Sequence, residues 1–289
     1  MVSKVLYIMG TARSGTTILE IMLSNNAGVV GGGELTHFFS DGLIKKNRCS
    51  CGNEVANCPQ WGSVVEMLCK KTSHVSQAAE NISRVDRHLG LIRGFAKAFS
   101  RKQTYQYIAT NEVLIESLGG KKSWVIDSSK YAARALALRD CPETDVYVIC
   151  LTRSPRGLAR AFTKNNKLEQ KRKSPLSLLL YYAVVSISLQ VASVRLRERV
   201  MKLTYERLCR DPDAVLMDIE KWCGLCTHEV REKIANKAYL CVGHIVTGNR
   251  LRKERRILFA PDTPAGGELS WTMKIVVTLM MAIKCVVRL

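Results

Sequence analysis

Residues Gly10-Thr11-Ala12-Arg13-Ser14-Gly15-Thr16-Thr17 carry the most specific chemical signal in the chain. They follow the apolar run Lys4-Val5-Leu6-Tyr7-Ile8-Met9, which predicts a buried strand. They lead into a helix over about Gly15 to Ser24, with Ile18, Leu19, Met22 and Leu23 on one face. A strand, a glycine-containing loop and a helix N-terminus make an anion site, because backbone N–H groups and the helix dipole both favour negative charge there. The spacing, glycine, four residues, glycine, is that of a nucleotide phosphate loop. Thr16 stands where the usual Lys would be, and Arg13 offers charge from inside the loop instead. A kinase or ATPase would be expected to keep that Lys and a metal-binding Asp.

Other residues could act on a ligand held there. Glu34 follows Val29-Val30-Gly31-Gly32-Gly33. The short run before the glycines reads as the end of a second strand, so Glu34 emerges beside the phosphate loop. It is the candidate general base, and it would need burial to lift its pKa for work near neutral pH. His37 is the alternative base. Arg153 ends the apolar run Val148-Ile149-Cys150-Leu151 just before a helix, a place that suits a second phosphate. Lys130 closes Val125-Ile126-Asp127-Ser128-Ser129 at a strand's C-terminal end, where open α/β sheets bind ligands. Cys49, Cys51 and Cys58 are spaced closely enough to ligate zinc, but a fourth ligand is not obvious, with His37 and Cys69 only distant candidates. A Cys51–Cys58 disulfide is sterically conceivable. A thiol-rich structural turn is the simplest reading, and no metal is assigned.

These residues need a scaffold. Trp124-Val125-Ile126, Val146 to Leu151 and Val200-Met201-Lys202-Leu203 read as further strands, with helices over Tyr131 to Arg139 and Arg156 to Thr163. Strands alternating with helices predict an α/β fold, a central parallel sheet flanked by helices. Residues 66–118 show no strand signal and are expected to form a helical insertion over the sheet, within one domain spanning 1–289. Leu89, Leu91, Ile92, Phe95, Phe99, Tyr105 and Tyr107 within it are read mainly as its core. Ser174 to Ser193 is uncharged and is read as a buried helix, although it has the length to span a membrane. A C-terminal apolar helix is expected over about 271–289; its apolar stretch Ile275 to Val287 is too short to span and could pack on the core or lie on a membrane surface. Asn165 to Pro175 and Pro261 to Gly267 read as loops.

The loop Arg13-Ser14-Gly15-Thr16-Thr17-Ile18-Leu19 resembles that of the sulfotransferase family, and other stations agree. The resemblance is to bacterial-type members related to tyrosylprotein and carbohydrate sulfotransferases. It implies that Thr11, Arg13, Ser14, Gly15, Thr16 and Thr17 bind the 5′-phosphosulfate of 3′-phosphoadenosine 5′-phosphosulfate (PAPS). It implies that Arg153, in Leu151-Thr152-Arg153-Ser154-Pro155-Arg156, binds the 3′-phosphate. The family's Ser eight residues after that Arg is Ala161 here, so one hydroxyl contact is missing; Thr163 or Lys164 could compensate. Tyr205, in Leu203-Thr204-Tyr205-Glu206-Arg207-Leu208, would line the nucleotide site. Asn249, Arg250 and Arg252, in Gly248-Asn249-Arg250-Leu251-Arg252, would close over its phosphates with Lys253. The resemblance makes Glu34 the base, and Lys130 and Arg13 its catalytic partners. The reaction implied is transfer of a sulfonate from PAPS to a hydroxyl or, less favoured, an amine.

Composition narrows the alternatives. The 289 residues contain 44 Lys and Arg against 25 Asp and Glu, a net charge of +19. Such a surplus attracts anions, whether phosphorylated ligands, acidic lipids or nucleic acid. Aromatic residues are only 7% and do not interleave with the basic patches, so a nucleic-acid stacking platform is not expected. Eleven scattered cysteines and no signal peptide suit reduced thiols in a cytoplasm, with peripheral membrane contact through the C-terminal helix as an added expectation. The competing readings are a P-loop kinase or NTPase and an anionic-lipid or nucleic-acid binding protein.

Overall fold

The computed structural model of the chain describes residues 2–71, 75–86, 101–120, 124–163, 173–248, 250–260 and 268–287. Five strands form one parallel sheet: β1 (Ser3–Gly10), β2 (Val29–Gly31), β3 (Trp124–Lys130), β4 (Thr144–Thr152) and β5 (Val200–Thr204). Their order is β2-β3-β1-β4-β5: the chain passes from the central β1 to the edge strand β2, returns to place β3 between them, and then adds β4 and β5 on the other side. The register aligns Val5 with Val125 on one side and Val146 on the other. A strand paired on both edges and covered on both faces is apolar at nearly every position. Val5, Leu6, Tyr7, Ile8 and Met9 are accordingly all fully buried.

Helices cover both faces. They are α1 (Thr16–Leu23), α2 (Gly62–Lys71), α3 (Val75–Asp86), α4 (Arg101–Gly119), α5 (Ala132–Arg139), α6 (Pro155–Thr163), α7 (Pro175–Leu196), α8 (Tyr205–Arg210), α9 (Pro212–Cys223), α10 (His228–Ala235) and α11 (Trp271–Val287). A short antiparallel pair, β6 (Leu240–Cys241) with β7 (Arg256–Ile257), stands apart from the main sheet. One core packs Val5, Tyr7 and Met9 with residues of α2–α5 and α7. The other packs Leu6 and Ile8 with α1, α9 and the segment around Ile245. Tyr107 is buried in the first core, whereas Tyr105 is exposed on the same helix. Leu89, Leu91, Ile92, Phe95 and Phe99 lie outside the described residues.

α7 departs from the buried helix its lack of charge predicts. Leu178, Tyr182, Val185 and Leu189 face the core, but Leu176, Leu180, Val184 and Ile187 are exposed. The reason is its position between the sheet and solvent: α11 covers part of it, joining Met273, Val276, Val277 and Met280 to Leu178 and Tyr182 in a third cluster. By length and composition α7 could cross a membrane, with under half of its most apolar window buried. Ser174 caps it, its side chain accepting from the Ser177 N–H, and Pro175 opens its first turn.

Candidate functional site

A cavity of about 440 Å³ opens at the C-terminal ends of β1 and β3. Gly10, Ala12, Glu34, His37, Ser129, Lys130, Tyr131, Phe162, Lys173 and Tyr181 line it. The loop after β1 forms one wall. There Arg13 adopts a left-handed backbone (φ 64°), and Gly15 does too (φ 91°). A Cβ on Gly15 would lie 2.3 Å from Cδ2 of Tyr205, so the tyrosine ring rests directly on the loop. The Arg153 guanidinium stacks on that ring at 4.4 Å and donates to the Arg13 carbonyl at 3.1 Å. The structure thus brings Arg13, Gly15, Arg153 and Tyr205 together from three strand ends.

The loop is braced from inside. The Ser14 hydroxyl donates to the Thr11 carbonyl at 2.7 Å, and the Ala12 N–H donates to the Tyr181 hydroxyl at 2.8 Å. Burial pushes the Tyr181 phenol up to about 12, so it stays protonated at neutral pH. Thr16 and Thr17 are buried in the first turn of α1. The Thr11 hydroxyl is buried with no hydrogen-bond partner among the described residues. A buried, unsatisfied hydroxyl beside a helix N-terminus fits a loop that completes its bonds on a phosphate or sulfonate.

Glu34 stands opposite, following Gly33 (φ 67°) at the end of the glycine run. Its Oε1 is ion-paired with Nζ of Lys130, and its Oε2 lies 3.9 Å from Nε2 of His37. Lys130 also has a left-handed backbone, φ 75°, unusual for a residue with a side chain. The neighbours of Lys130 explain how that conformation is held. Asp127 accepts from both the N–H and the hydroxyl of Ser129, and the Ser129 hydroxyl accepts from the Thr36 N–H at 3.0 Å. Asp127 in turn accepts from Nε of Arg134 at 2.8 Å, while Nη1 of Arg134 donates to Asp86 at 2.9 Å. Burial by itself would lower the Arg134 pKa, but Asp127 and Asp86 outweigh it and hold the guanidinium charged.

Glu20 was not legible as a site residue. It projects from α1 into the same layer, accepting from the Gly33 N–H at 2.5 Å and the Ser128 hydroxyl at 2.6 Å. It thereby fixes the residues that precede Glu34 and Lys130. Burial is the main cause that lifts its pKa from the ordinary 4.5 to about 7. Tyr131, Phe162, Lys173 and Tyr181 were also missed. Three are aromatic residues of apolar stretches, where a pocket wall and a core position read alike, and Lys173 belongs to a basic stretch that reads as a loop. Lys173 packs over the rings of Tyr181 and Phe162.

The remaining expected residues are placed unevenly. Gly248 (φ 112°) presses on Glu34: a Cβ there would lie 2.9 Å from Oε1. Arg252 donates through Nη1 to the Val246 carbonyl at 3.0 Å, so at least part of its guanidinium braces its own loop. Asn249 and the side chain of Arg250 lie outside the described residues, as do Lys164 and residues 165–172 and 261–267. The Thr163 hydroxyl donates to the carbonyls of Ala159 and Arg160 in its own helix rather than standing in for a hydroxyl at Ala161. Glu206 accepts from the Ser154 N–H at 2.9 Å, placing a carboxylate at the start of α6.

A model of the sulfotransferase family matches residues 6–229. Among solved structures, the chain is similar to the sulfotransferase domain from the curacin biosynthetic pathway, at 16% identity and a TM-score of 0.50. That match covers 96% of this chain and 98% of the other. It is also similar to sulfotransferase STF9 from Mycobacterium avium, at 14% identity and a TM-score of 0.50, over 99% and 77% of the two chains. Identities this low speak to the fold alone. No curated protein sequence matches this one significantly.

Proposed function

Because the chain belongs to the sulfotransferase family, we propose that it moves a sulfonate from PAPS to the hydroxyl of an acceptor, with Glu34 as general base. The observation that carries this reading is the Glu34–Lys130 pair lining the same cavity as the anion loop. When bound, the donor supplies a sulfonate activated by its link to phosphate; transfer forms a bond from sulfur to the acceptor oxygen and breaks the sulfur–oxygen bond to the 5′-phosphate.

The roles of the residues follow from their positions. The backbone N–H groups at the start of α1, Arg13 and the unsatisfied Thr11 hydroxyl favour an anion at the loop. Tyr205, stacked under Arg153 and against Gly15, offers a flat apolar face beside it. Glu34 takes the acceptor proton at its carboxylate. Lys130 is a positive group within reach of charge building on the oxygens around sulfur. In the free protein these two side chains neutralise each other. A donor that draws Lys130 toward its own oxygens frees the Glu34 carboxylate to accept the proton. Tyr131, Phe162 and Tyr181 give the acceptor side an aromatic wall.

Glu34→Gln tests this assignment. The variant should lose transfer while its thermal stability still rises with the product nucleotide, 3′-phosphoadenosine 5′-phosphate. A folded-state ligand at about a hundredfold excess over Kd stabilises by about 2.7 kcal/mol. Full activity in Glu34→Gln would overturn the base assignment. A stability shift with ATP and Mg²⁺ but none with the bisphosphate would overturn the donor.

A further inference from the structure

We infer that Cys49, Cys51, Cys58 and His244 form a structural zinc site that clamps the loop over Glu34 to the first half of the chain. Cys58 follows Cys49 by nine residues, with Cys51 between them, but the fourth ligand comes from 186 residues beyond Cys58, where no spacing pattern in the sequence could point to it. One donor atom from each of the four residues lies within 4.8 Å of all the others. His37 lines the cavity instead, and Cys69 is exposed on α2.

Four of the six donor-atom separations lie close to tetrahedral edges, and the other two stay within 4.8 Å. Sγ of Cys58 is 3.6 Å from Sγ of Cys49 and 3.7 Å from Sγ of Cys51. Nδ1 of His244 is 3.2 Å from Cys58 and 3.7 Å from Cys49. With Zn–S near 2.3 Å and Zn–N near 2.05 Å, tetrahedral edges are about 3.8 Å between sulfurs and about 3.6 Å between sulfur and nitrogen. A disulfide would need sulfurs at about 2.05 Å and would leave the third thiol over. Cys49 and Cys58 are buried, and four protein ligands leave no open coordination position, which marks the site as structural rather than catalytic.

The surroundings present the ligands independently of one another. Gly52 (φ 92°) turns the chain after Cys51, and its N–H donates to the Cys49 carbonyl at 2.8 Å. His244 is held on both sides. Its carbonyl accepts from Nε1 of Trp61 at 2.7 Å, while Ser50 donates to the Gly243 carbonyl at 2.7 Å and accepts from the Ile245 N–H at 2.9 Å. Trp61 is itself fully buried and stacked on Phe38. Three thiolates, a neutral imidazole and Zn²⁺ sum to one negative charge, a modest burden for a chain with a net charge of +19. Four residues beyond His244, Gly248 touches Glu34, so the clamp fixes the stretch that packs against the candidate base.

The test uses the full chain isolated under reducing conditions, and its readouts do not depend on catalysis. Metal analysis should find one zinc per chain, released when the thiols are modified. Replacement by Co²⁺ should give tetrahedral visible bands and a thiolate-to-cobalt charge-transfer band. Cys58→Ser should lose the metal; because loss of a structural metal can itself unfold a chain, His244→Cys serves as the second variant and should keep zinc with a shifted cobalt spectrum. Ser50→Ala, which removes a support of His244 rather than a ligand, should weaken cobalt binding by about 10–100-fold. A folded chain that contains no zinc and takes up no cobalt would overturn the site. So would a cobalt spectrum identical in His244→Cys and the parent, or, in a parallel isolation without reductant, a chain two hydrogens lighter through a Cys51–Cys58 disulfide.

Discussion

Glu20→Gln should remove a pH dependence of stability that the buried carboxyl creates. Burial raises the Glu20 pKa from 4.5 to about 7, against the opposing hydrogen bonds from Ser128 and Gly33. Between those values the folded chain keeps a proton that the unfolded chain has released. Bound protons are then more numerous in the native state, so stability falls as pH rises. The contribution is whole below about pH 4.5 and lost as pH passes about 7; its size is about 3 kcal/mol at 1.36 kcal/mol per pKa unit. Gln is neutral throughout and nearly the same shape. Its carbonyl can accept from the Gly33 N–H as Oε1 of Glu20 does, and its amide can donate to the Ser128 hydroxyl. Urea unfolding of both proteins from roughly pH 5 to pH 8 measures the term directly. The variant should gain stability relative to the parent as pH rises, with most of the change below about pH 7. Parallel profiles would show that Glu20 is already ionised at low pH and would refute the reasoning.

Arg134→Met should cost about 3–5 kcal/mol, because it leaves Asp127 and Asp86 buried without their shared cation. Denaturant unfolding reads this, and a loss under about 1 kcal/mol would mean that the carboxyls simply take up protons. Gly15→Ala should weaken product-nucleotide binding about tenfold or more, since a left-handed Ala costs about 1–2 kcal/mol and its Cβ displaces the Tyr205 ring. Titration calorimetry checks it, and unchanged affinity would detach Tyr205 from the donor site.

The sequence exposed what is local and repeated what is general. β1, β3 and β4 were legible because a strand buried on both faces is apolar throughout, and the phosphate loop was legible because strand, glycines and helix adjoin in the chain. Glu20 was not. A carboxylate on an amphipathic helix reads as a solvent-facing position, and only the approach of Gly33 and Ser128 makes it a buried acceptor. Arg134 similarly reads as a helix-surface cation until Asp86 and Asp127 converge on it from α3 and β3. His244 lies just before the Gly248 to Arg252 stretch that the resemblance places over the donor, and its proximity to Cys58 exists only in three dimensions. α7 shows the converse: absence of charge marks a helix as apolar but does not say whether its outer face is covered.

The central place of β1 bears on how the chain is made. Of the five strands in its sheet it is the first to be synthesised, yet Lys4 pairs with Trp124 and Ser3 with Thr144. Its backbone groups therefore wait for strand partners through roughly 120 residues of synthesis, about 6–24 s at 5–20 residues per second, although α1 can cover Leu6 and Ile8 earlier. Contacts so distant in sequence also close slowly. The nascent chain thus displays Val5-Leu6-Tyr7-Ile8-Met9 as an unpaired strand edge during that interval. The yield of folded protein should consequently depend on translation speed and chaperone supply more than the stability of the finished fold would suggest.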